Sequence, residues 1–314
     1  MSYLESAAAS VQARSRIRPH IYETPLLPAR SEPKLFFKAE NFQLTGSFKL
    51  RGATSKMTAS LSTSRLITAS SGNHGIAAAF AASKLGQDLT VVLPETVVVA
   101  KLSKIQPYGV RTILHGADAG LAEQHAQKLA KDEGYTYVSP YNDPDIIAGQ
   151  GTIGLEILEQ CPQVDNVFVS MGGGGLISGI GSVLKAFSPH TKVYGVSANN
   201  SRALAASMTA GKVIETEHLP TLADGVAGGV DEDTITLALA TDVVSEVVDC
   251  EEEDIREALK ILALKENMLT EGSSALALAG YNKMKHSLQG QVNVVVLCGA
   301  NFDQDVIVRE VFTS

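Results

Sequence analysis

Short apolar runs alternate with helical patterns through most of this 314-residue chain, and this alternation constrains the fold more than any other feature. The runs, rich in valine, isoleucine and leucine, are residues 66–69, 88–93, 110–114, 136–138, 166–171, 192–197, 243–248 and 292–298. Helical patterns separate most of them, for instance at residues 118–133, 146–159 and 252–266. Neighbouring parallel strands need a crossover connection, which is usually a helix. The alternation therefore predicts an α/β fold with mostly parallel sheets covered by helices on both faces.

Composition and charge narrow the class of protein. The chain is 45% apolar and 19% charged, and its net charge of −8 comes with scattered basic residues, so nucleic acid is not an expected partner. No apolar run approaches the roughly 18 residues of a membrane span. Residues 1–19 lack the apolar centre of a signal peptide and predict an opening helix. The three cysteines follow no disulfide or metal-site spacing. We therefore expect a cytoplasmic protein that binds neither membrane nor nucleic acid.

Four consecutive glycines, residues 172–175, follow one predicted strand and precede a helical pattern that runs from residue 176 to about 187. At such a turn backbone N–H groups can approach an anion closely, and the start of the helix adds a favourable field, so a phosphate is indicated. A dinucleotide fingerprint would need a sixth-position glycine, but that position holds Ile177 or Ser178. No Gly-Lys-Ser/Thr of a nucleotide P-loop follows either. A tight turn that only brings helix and strand together is the alternative, which four glycines in a row disfavour.

Lys49 has unusual neighbours for a lysine. It lies between Phe48 and Leu50, just after the small residues Gly46 and Ser47. An ε-amine in such a place can be partly desolvated, which lowers its pKa as covalent imine chemistry requires. A surface lysine, or one at a helix start, is the ordinary alternative. Together with the glycine turn, however, a sheltered lysine indicates a phosphorylated aldehyde cofactor, pyridoxal 5'-phosphate.

Six motifs in one order carry a resemblance to a known family. They are Ser-Phe-Lys-Leu-Arg-Gly-Ala at 47–53, Ser-Ser-Gly-Asn-His-Gly at 70–75, Ala-Gly-Gln-Gly-Thr at 148–152, the glycines 172–175, Leu-Ala-Asp-Gly at 222–225 and Cys-Gly-Ala-Asn at 298–301. Over nearly its whole length the chain resembles the fold type II pyridoxal-phosphate enzymes of the serine/threonine dehydratase and serine racemase family. The resemblance implies a two-lobed, tryptophan synthase β-like fold. Residues 1–58 and 144–314 would form a large cofactor-binding domain and residues 59–143 a small domain. The cofactor would lie in the cleft between them, and a homodimer is expected.

The resemblance also implies which residues hold the cofactor. Lys49 would be joined covalently to the cofactor aldehyde and, once released, would remove the Cα proton of the substrate. Phe48 would pack against the pyridine ring, and a plain core aromatic is the ordinary alternative for this residue. Asn73 would bind the phenolic oxygen of the cofactor, and a helix N-cap is the alternative there. The phosphate would be held by Gly172, Gly173, Gly174, Gly175 and the amide of Leu176.

Cys298 would face the pyridine nitrogen, where the family usually has serine or threonine. A thiol is a weak, neutral donor that cannot protonate that nitrogen as a carboxylic acid would. The ring would then be a weaker electron sink, which favours β-elimination over reactions that need a long-lived carbanion. A buried small residue is the alternative for this cysteine, and both can hold.

Substrate residues follow from the same resemblance. The turn at 70–74 would receive the substrate carboxylate, and further contacts would come from the Leu-Ala-Asp-Gly motif and from a glutamate near the cofactor pocket. His74 is expected to be a structural or carboxylate-side residue rather than a catalytic base, and a helix N-terminal carboxylate is the alternative for Glu271. The predicted substrate-binding residues are Ser70, Ser71, Gly72, Asn73, His74, Asp224, Gly225 and Glu271.

Two reactions, β-elimination and racemisation, can follow loss of the Cα proton. The resemblance places Ser71 on the face opposite Lys49, which makes Ser71 a second catalytic residue and keeps racemisation open. Serine racemases carry a divalent-cation site, but Ser197 and Ala203 stand where its acidic ligands would be, so no metal is expected. The loop at 225–229 is more similar to dehydratases.

The leading expectation is an L-serine/L-threonine ammonia-lyase that gives a 2-oxo acid and ammonia, with racemisation as a side activity. Serine racemase is an alternative, as is a dehydratase of another β-hydroxy amino acid, such as 3-hydroxyaspartate or a phenylserine. A non-catalytic phosphate-binding protein is a further alternative, in which Lys49 would only be structural.

Overall fold

A computed structural model describes residues 1–59 and 65–313 as two β-sheets covered by helices. The strands are β1 Leu26–Pro28, β2 Leu35–Ala39, β3 Leu66–Ala69, β4 Leu89–Leu93, β5 Arg111–Leu114, β6 Thr136–Tyr137, β7 Asn166–Ser170, β8 Lys192–Ala198, β9 Glu246–Cys250 and β10 Asn293–Leu297. The helices are α1 Tyr3–Ile17, α2 Lys49–Ala59, α3 Asn73–Leu85, α4 Val99–Ile105, α5 Ala119–Glu133, α6 Pro144–Gln160, α7 Gly175–Phe187, α8 Ala203–Ala210, α9 Thr236–Val243, α10 Glu252–Leu264, α11 Gly272–Met284 and α12 Gln304–Ile307.

The six-stranded sheet has the order β1-β2-β10-β7-β8-β9, and the four-stranded sheet has the order β5-β4-β3-β6. Among these ten strands only β1 and β2 pair antiparallel, and every other pair is parallel. In the larger sheet Val294 lies between Phe36 of one neighbouring strand and Val167 of the other. Because β2, β7 and β10 run the same way, their carboxyl ends meet at one edge, where open α/β sheets place ligands.

The central strands are buried on both faces, as expected for parallel strands under helices. Every residue of β3, β4, β7 and β10 is buried. In the core of the larger sheet the ring of Phe168 stacks on Tyr194 with centroids 4.6 Å apart and meets Tyr281 edge-on at 5.6 Å. Such ring pairs add to the free energy gained by burying apolar area. The larger sheet therefore gives its carboxyl edge a rigid support.

Most of the strands and helices predicted from apolar runs are confirmed. The runs at 66–69, 88–93, 110–114, 136–138, 166–171, 192–197 and 292–298 each agree with a strand to within one residue at either end, and the opening helix is α1. The run at 243–248 was placed too early, because α9 extends to Val243 and β9 begins at Glu246. Sequence analysis also missed β1 and β2, which are short and lie near Pro25 and Pro33.

The domain boundaries stay a prediction. All four strands of the smaller sheet lie inside residues 59–143, and all six strands of the larger sheet lie outside that range. Residues 60–64, at the start of the predicted small domain, and residue 314, at the end of the large one, lie outside the described residues. Within residues 1–59 and 65–313, none of the helices combines the length and apolar character that crossing a membrane requires.

Candidate active site

A cleft opens where the carboxyl ends of strands from both sheets face each other. Its empty volume is about 490 Å³, which includes the part that is open to solvent. Strands β7 and β10 of the larger sheet end here, and the segments after β3 and β6 of the smaller sheet reach it through Asn73 and Tyr141. Among the predicted site residues, those that line the cleft are Phe48, Lys49, Asn73, Gly172, Gly173, Gly174, Gly175, Leu176, Gly225, Glu271 and Cys298.

Lys49 is the first residue of α2 and is held against the end of β10. The Phe48 N–H donates to the Cys298 carbonyl at 3.0 Å, and Ser47 forms a bridge with Gly299. The Lys49 ammonium donates to the Pro140 carbonyl at 2.7 Å and lies 5.2 Å from the centre of the Phe48 ring. Burial lowers the pKa of Lys49 to about 8, although the nearby Cys298 and Glu271 act against the shift. An amine with this pKa is a far better nucleophile near neutral pH than an ordinary lysine.

The four glycines form the turn from β7 into α7. Gly174 is the N-cap of α7 and has φ +85°, a conformation that glycine adopts without strain. A Cβ on Gly173 would lie 2.5 Å from the ring of Tyr141, so a side chain there would collide with this wall of the cleft. No side chain caps the start of α7. The first amides of the helix therefore have no intrahelical partner and face the cleft, as at an anion site.

These features fit pyridoxal phosphate. The cleft combines an amine of lowered pKa, a turn whose close packing excludes side chains, and an uncapped helix start. Lys49 is the only cationic side chain among the described residues that line it. A phosphate would therefore be held by backbone amides and the helix field, which is the usual arrangement at a glycine-rich helix start. The ring would lie between this turn and Lys49.

The buried Glu271 and Cys298 and the half-buried Asn73 form a polar cluster on one side of the cleft. The Asn73 amide donates to both oxygens of the Glu271 carboxylate at 2.9 and 3.0 Å, and the Asn301 N–H donates to it at 3.0 Å. The Cys298 thiol donates to the same carboxylate at 3.8 Å. Burial raises the pKa of Glu271 and of Cys298. No cation lies among the hydrogen-bond partners that the structure gives to Glu271, so a carboxylate of raised pKa borders the cleft.

The remaining predicted residues lie beside the cleft rather than in its lining. Ser70, Ser71 and Gly72 are half-buried in the turn before α3, and Asp224 is exposed in the loop that also carries Gly225. His74 is buried, and its Nε2 contacts Thr68 Oγ1 at 2.9 Å and the Val138 carbonyl at 3.0 Å.

Burial lowers the pKa of His74 to about 3, so the ring is neutral at physiological pH. Gly72, not Asn73, is the N-cap of α3, so the asparagine side chain is free to reach across to Glu271.

Several residues that line the cleft were not predicted from the sequence. Tyr141 forms the wall behind the glycine turn, and its hydroxyl accepts from the Asp231 N–H at 2.8 Å. Ser170 is the last residue of β7, and its hydroxyl donates to the Ser273 carbonyl at 2.6 Å. Ser170 could have been found, because the residue before a glycine turn at a strand end lies at the edge of the site. Tyr141 and Ser273 gave no such signal. The other missed lining residues are Ile177 and Val226.

A second missed feature is a fully buried charge network two residues beyond Lys49. Arg51 donates to Glu40 at 2.8 Å and to Glu156 at 2.6 Å, and Lys38 donates to Glu156 at 2.6 Å. None of these four side chains is more than 4% exposed, and their formal charges cancel. Burial alone would lower the pKa of Arg51, but the two carboxylates outweigh it and raise that pKa above its usual value. The network fixes the start of α2 and hence the position of Lys49.

Comparison with known proteins identifies the class. Residues 17–299 match the family of pyridoxal-phosphate dependent enzymes, and the chain belongs to that family. The protein is therefore an enzyme that uses pyridoxal phosphate, with the tryptophan synthase β-like fold that the motifs implied.

Relatives place it more closely within the family. The chain is 38% identical over 280 residues to an L-threonine ammonia-lyase of Thermotoga maritima, in a match that covers 88% of this chain and 69% of that relative. It is similar to the T.th. threonine deaminase, with a TM-score of 0.86, 34% identity, and coverage of 94% of this chain and 98% of the other. It is also similar to maize serine racemase, with a TM-score of 0.88, 29% identity, and coverage of 96% and 95%.

Proposed function

We propose that the protein is an ammonia-lyase that converts L-threonine and L-serine into a 2-oxo acid and ammonia. The observation that carries this proposal is the amine of Lys49, with a pKa near 8, at a cleft whose other wall is an uncapped glycine turn. Relatives named threonine ammonia-lyase and threonine deaminase support the reaction and the substrate. The overall change is loss of the Cα proton and the β-hydroxyl as water, followed by hydrolysis of the nitrogen group to ammonia.

Lys49 is the proposed base. Bound pyridoxal phosphate would supply an electron sink for the Cα of an amino acid joined to its aldehyde. With a pKa of about 8, roughly a tenth of Lys49 is neutral at pH 7, against roughly one part in 3,000 for an ordinary lysine. The hydrogen bond to the Pro140 carbonyl orients the amine. A neutral, oriented amine can accept the Cα proton, which an ammonium cannot.

The substrate carboxylate is proposed to bind at the start of α3. This helix begins with Asn73 at the cleft, and the half-buried turn of Ser70, Ser71 and Gly72 precedes it beside the cleft, with the Gly72 N–H donating to the Ser70 hydroxyl at 3.2 Å. The positive end of the helix favours an anion at this place. Asn73 is held by Glu271 and by Asn301, whose amide donates to the Asn73 carbonyl oxygen at 2.7 Å. These contacts fix the side chain that is proposed to bind the cofactor's phenolic oxygen.

The cleft favours substrates with uncharged side chains. Among the described lining residues Lys49 is the only cation, and Glu271 contributes a carboxylate. A second substrate carboxylate, as in 3-hydroxyaspartate, would therefore have no cationic partner and would face a like charge in a place of low dielectric. L-Threonine and L-serine carry no such charge. These contacts give no reason to prefer 3-hydroxyaspartate, and the phenylserine alternative has no observation in its favour.

Serine racemase is the second candidate, because the chain is similar to maize serine racemase over almost its whole length. The proposed side activity depends on Ser71, which would return a proton from the face opposite Lys49. Incubation with L-serine in deuterated water, followed by chiral analysis and pyruvate assay, separates the two reactions. Ser71→Ala should abolish D-serine and spare much of the pyruvate. Equal loss of both products would contradict the proposed face for Ser71.

Two experiments test the proposed function. One is covalent labelling of Lys49, and the other is a comparison of 2-oxo acid release from four amino acids. Borohydride reduction of the cofactor-loaded enzyme should leave the pyridoxyl group on Lys49 in a peptide map. Release of 2-oxo acid should be fastest with L-threonine or L-serine among L-threonine, L-serine, 3-hydroxyaspartate and phenylserine. A label on another lysine, or no 2-oxo acid from any of the four, would overturn the proposal.

A homodimer in the cytoplasm completes the proposal. Tyr22, Phe42 and Leu44 are between 39% and 56% exposed, and they lie together because the Gln43 side-chain oxygen accepts from the N–H groups of Tyr22 and Leu44. Such an apolar patch suits contact with a second copy of the chain. The three cysteines are unpaired, as a reducing compartment favours. Sedimentation of Phe42→Glu should give a monomer, and an unchanged dimer would exclude this patch as the interface.

A further inference from the structure

Ser273 carries a buried hydroxyl that the protein itself does not satisfy. Ser273 is 1% exposed, and its Oγ has no hydrogen-bond partner among the described residues. It is the second residue of α11 and lines the cleft. Several buried hydroxyls in the described parts of the chain are unpartnered, but only that of Ser273 belongs to a residue of the cleft. A buried polar group without a partner costs free energy, so an unsatisfied hydroxyl beside a ligand site needs an explanation.

The next residue, Ser274, has the opposite environment. Its hydroxyl donates to the Gly299 carbonyl at 2.6 Å and accepts from the Gly299 N–H at 2.8 Å. It also lies 3.5 Å from the Cys298 sulfur. Ser274 therefore joins α11 to the end of β10 and is satisfied by the protein alone. The two serines therefore differ in whether the hydroxyl already has hydrogen-bond partners within the described residues.

The surroundings of Ser273 hold its buried hydroxyl in a fixed place between the end of β7 and the loop that carries Gly225. The Ser170 hydroxyl donates to the Ser273 carbonyl at 2.6 Å, which anchors the backbone to the end of β7. A Cβ on Gly225 would lie 2.7 Å from Ser273 Oγ, so only a glycine at residue 225 lets this loop pack against the hydroxyl without displacing it. The same Cβ would lie 3.4 Å from Glu271 Oε1, which places the hydroxyl on the Glu271 side of the cleft.

Cys298 is less free to serve a ligand than its position suggests. Its thiol donates to Glu271 at 3.8 Å, burial raises its pKa, and a thiol is a weak donor. Ser273 has a stronger donor that is not engaged. Both residues lie on the side of the cleft where the proposed site has the pyridine ring, whereas the glycine turn serves the phosphate.

We propose that Ser273 is a cofactor-contact residue whose hydroxyl donates a hydrogen bond to the ring of bound pyridoxal phosphate. This inference rests on cofactor binding in the cleft and does not depend on which amino acid is the substrate. Ser273 supplies the ring contact that the thiol of Cys298 supplies only weakly. The cost of leaving the hydroxyl unsatisfied in the free protein is recovered when the cofactor binds.

The test compares Ser273→Ala with Ser274→Ala in two measurements on the full chain. The first is thermal unfolding of the cofactor-free protein, and the second is titration with pyridoxal phosphate and with pyridoxal, which lacks the phosphate. Ser273→Ala should leave the melting temperature unchanged or higher and should weaken both ligands about five- to tenfold. Ser274→Ala should lower the melting temperature, because it removes the contacts to Gly299.

Gly225→Ala gives an independent check. Its Cβ should displace the Ser273 hydroxyl and weaken cofactor binding in the wild-type background, but it should weaken binding much less in Ser273→Ala. Unchanged affinity of Ser273→Ala for both ligands would overturn the inference. Weakening of pyridoxal phosphate without weakening of pyridoxal would also overturn it, since the hydroxyl would then serve the phosphate. Absence of the pyridoxyl group from Lys49 after borohydride reduction of the wild-type protein would instead overturn the proposed function.

Discussion

Two clusters of polar side chains, one around Arg51 and one in the cleft beside Lys49, lie near each other in this protein. They differ in how many of their hydrogen bonds are made within the protein. Around Arg51, two cations and two carboxylates pair with one another. Lys38 also donates to the Thr24 carbonyl at 2.7 Å, and Arg51 also donates to the Thr152 hydroxyl at 3.1 Å. In the cleft, and among residues 1–59 and 65–313, Lys49 donates to a single carbonyl, Glu271 accepts only from neutral donors, and Ser273 Oγ has no hydrogen-bond partner. The first group is complete in the free protein and the second is not.

This difference separates residues that build the scaffold from residues that await a ligand. Buried polar groups usually find partners, because an unmet hydrogen bond costs free energy. A complete network such as that of Arg51 holds β2, α2 and α6 together and leaves no group free to react. The incomplete set in the cleft retains an amine of lowered pKa, a carboxylate of raised pKa and a hydroxyl without a partner among the described residues. Perturbed, unpaired groups in one cleft mark a functional site, and paired ones do not.

The largest expected effect is on activity. Lys49→Ala should lower the rate of 2-oxo acid release by about a thousandfold or more, because it removes both the covalent attachment point and the proposed base. Lys104→Ala is the matched control, since Lys104 is an exposed lysine on α4, and its rate should be unchanged. The measurement is steady-state release of 2-oxo acid from L-threonine with saturating cofactor. Retention of more than a tenth of the activity would contradict the role of Lys49.

The next largest effect is on the free energy of unfolding. Arg51→Met should lower the free energy of unfolding by about 3–5 kcal/mol, because it leaves the carboxylates of Glu40 and Glu156 buried without their main cation. Lys49→Met should change it by less than about 1 kcal/mol, because only one hydrogen bond is lost. Urea denaturation of the cofactor-free proteins measures both values. Equal losses in the two variants would remove the distinction between scaffold and site.

A third effect concerns the glycine turn. Gly173→Ala should weaken pyridoxal phosphate about tenfold to a hundredfold, because the added Cβ would lie 2.5 Å from the ring of Tyr141 and would shift the turn. Gly229→Ala is the control, since a Cβ there would have no neighbour within 4 Å. Cofactor titration by absorbance measures both. Wild-type affinity in Gly173→Ala would show that the turn does not hold the phosphate.

Much of the site was predictable because its signals are local. The glycine turn directly follows a strand that is a clear apolar run, and Lys49 lies between the apolar residues Phe48 and Leu50, which indicate a sheltered position. The acidic run at 251–254 is typical of a helix start, and α10 begins at Glu252 with a capping box between Glu251 and Asp254. In each case the residues that decide the structure are adjacent in sequence.

The missed features depend on contacts that no local pattern shows. Lys38 interrupts the apolar run of β2, which hid this strand, and its charge is accepted in the core only because Glu156 lies 118 residues away. Asn73 reaches Glu271 across 198 residues, so neither residue shows in sequence that it holds the other. The free hydroxyl of Ser273 and the occupied one of Ser274 are adjacent serines that sequence alone cannot distinguish. Tertiary partners, rather than residue types, separate site from scaffold.

A last prediction follows from the lowered pKa of Lys49, whose partner is a carbonyl and not a carboxylate, and it concerns the pH dependence of cofactor attachment. Burial lowers the pKa of Lys49 to about 8, so the amine is mostly charged below this pH and mostly neutral above it. Only the neutral amine attacks the cofactor aldehyde, so the attachment rate should rise about tenfold per pH unit well below pH 8 and level off above it. Stopped-flow absorbance of cofactor-free protein mixed with pyridoxal phosphate measures the rate, and Nα-acetyllysine in the same buffers corrects for titration of the cofactor. A rate that continues to rise tenfold per unit up to pH 10 would mean that Lys49 has the pKa of a solvated lysine, and the contrast with the paired network of Arg51 would then fail.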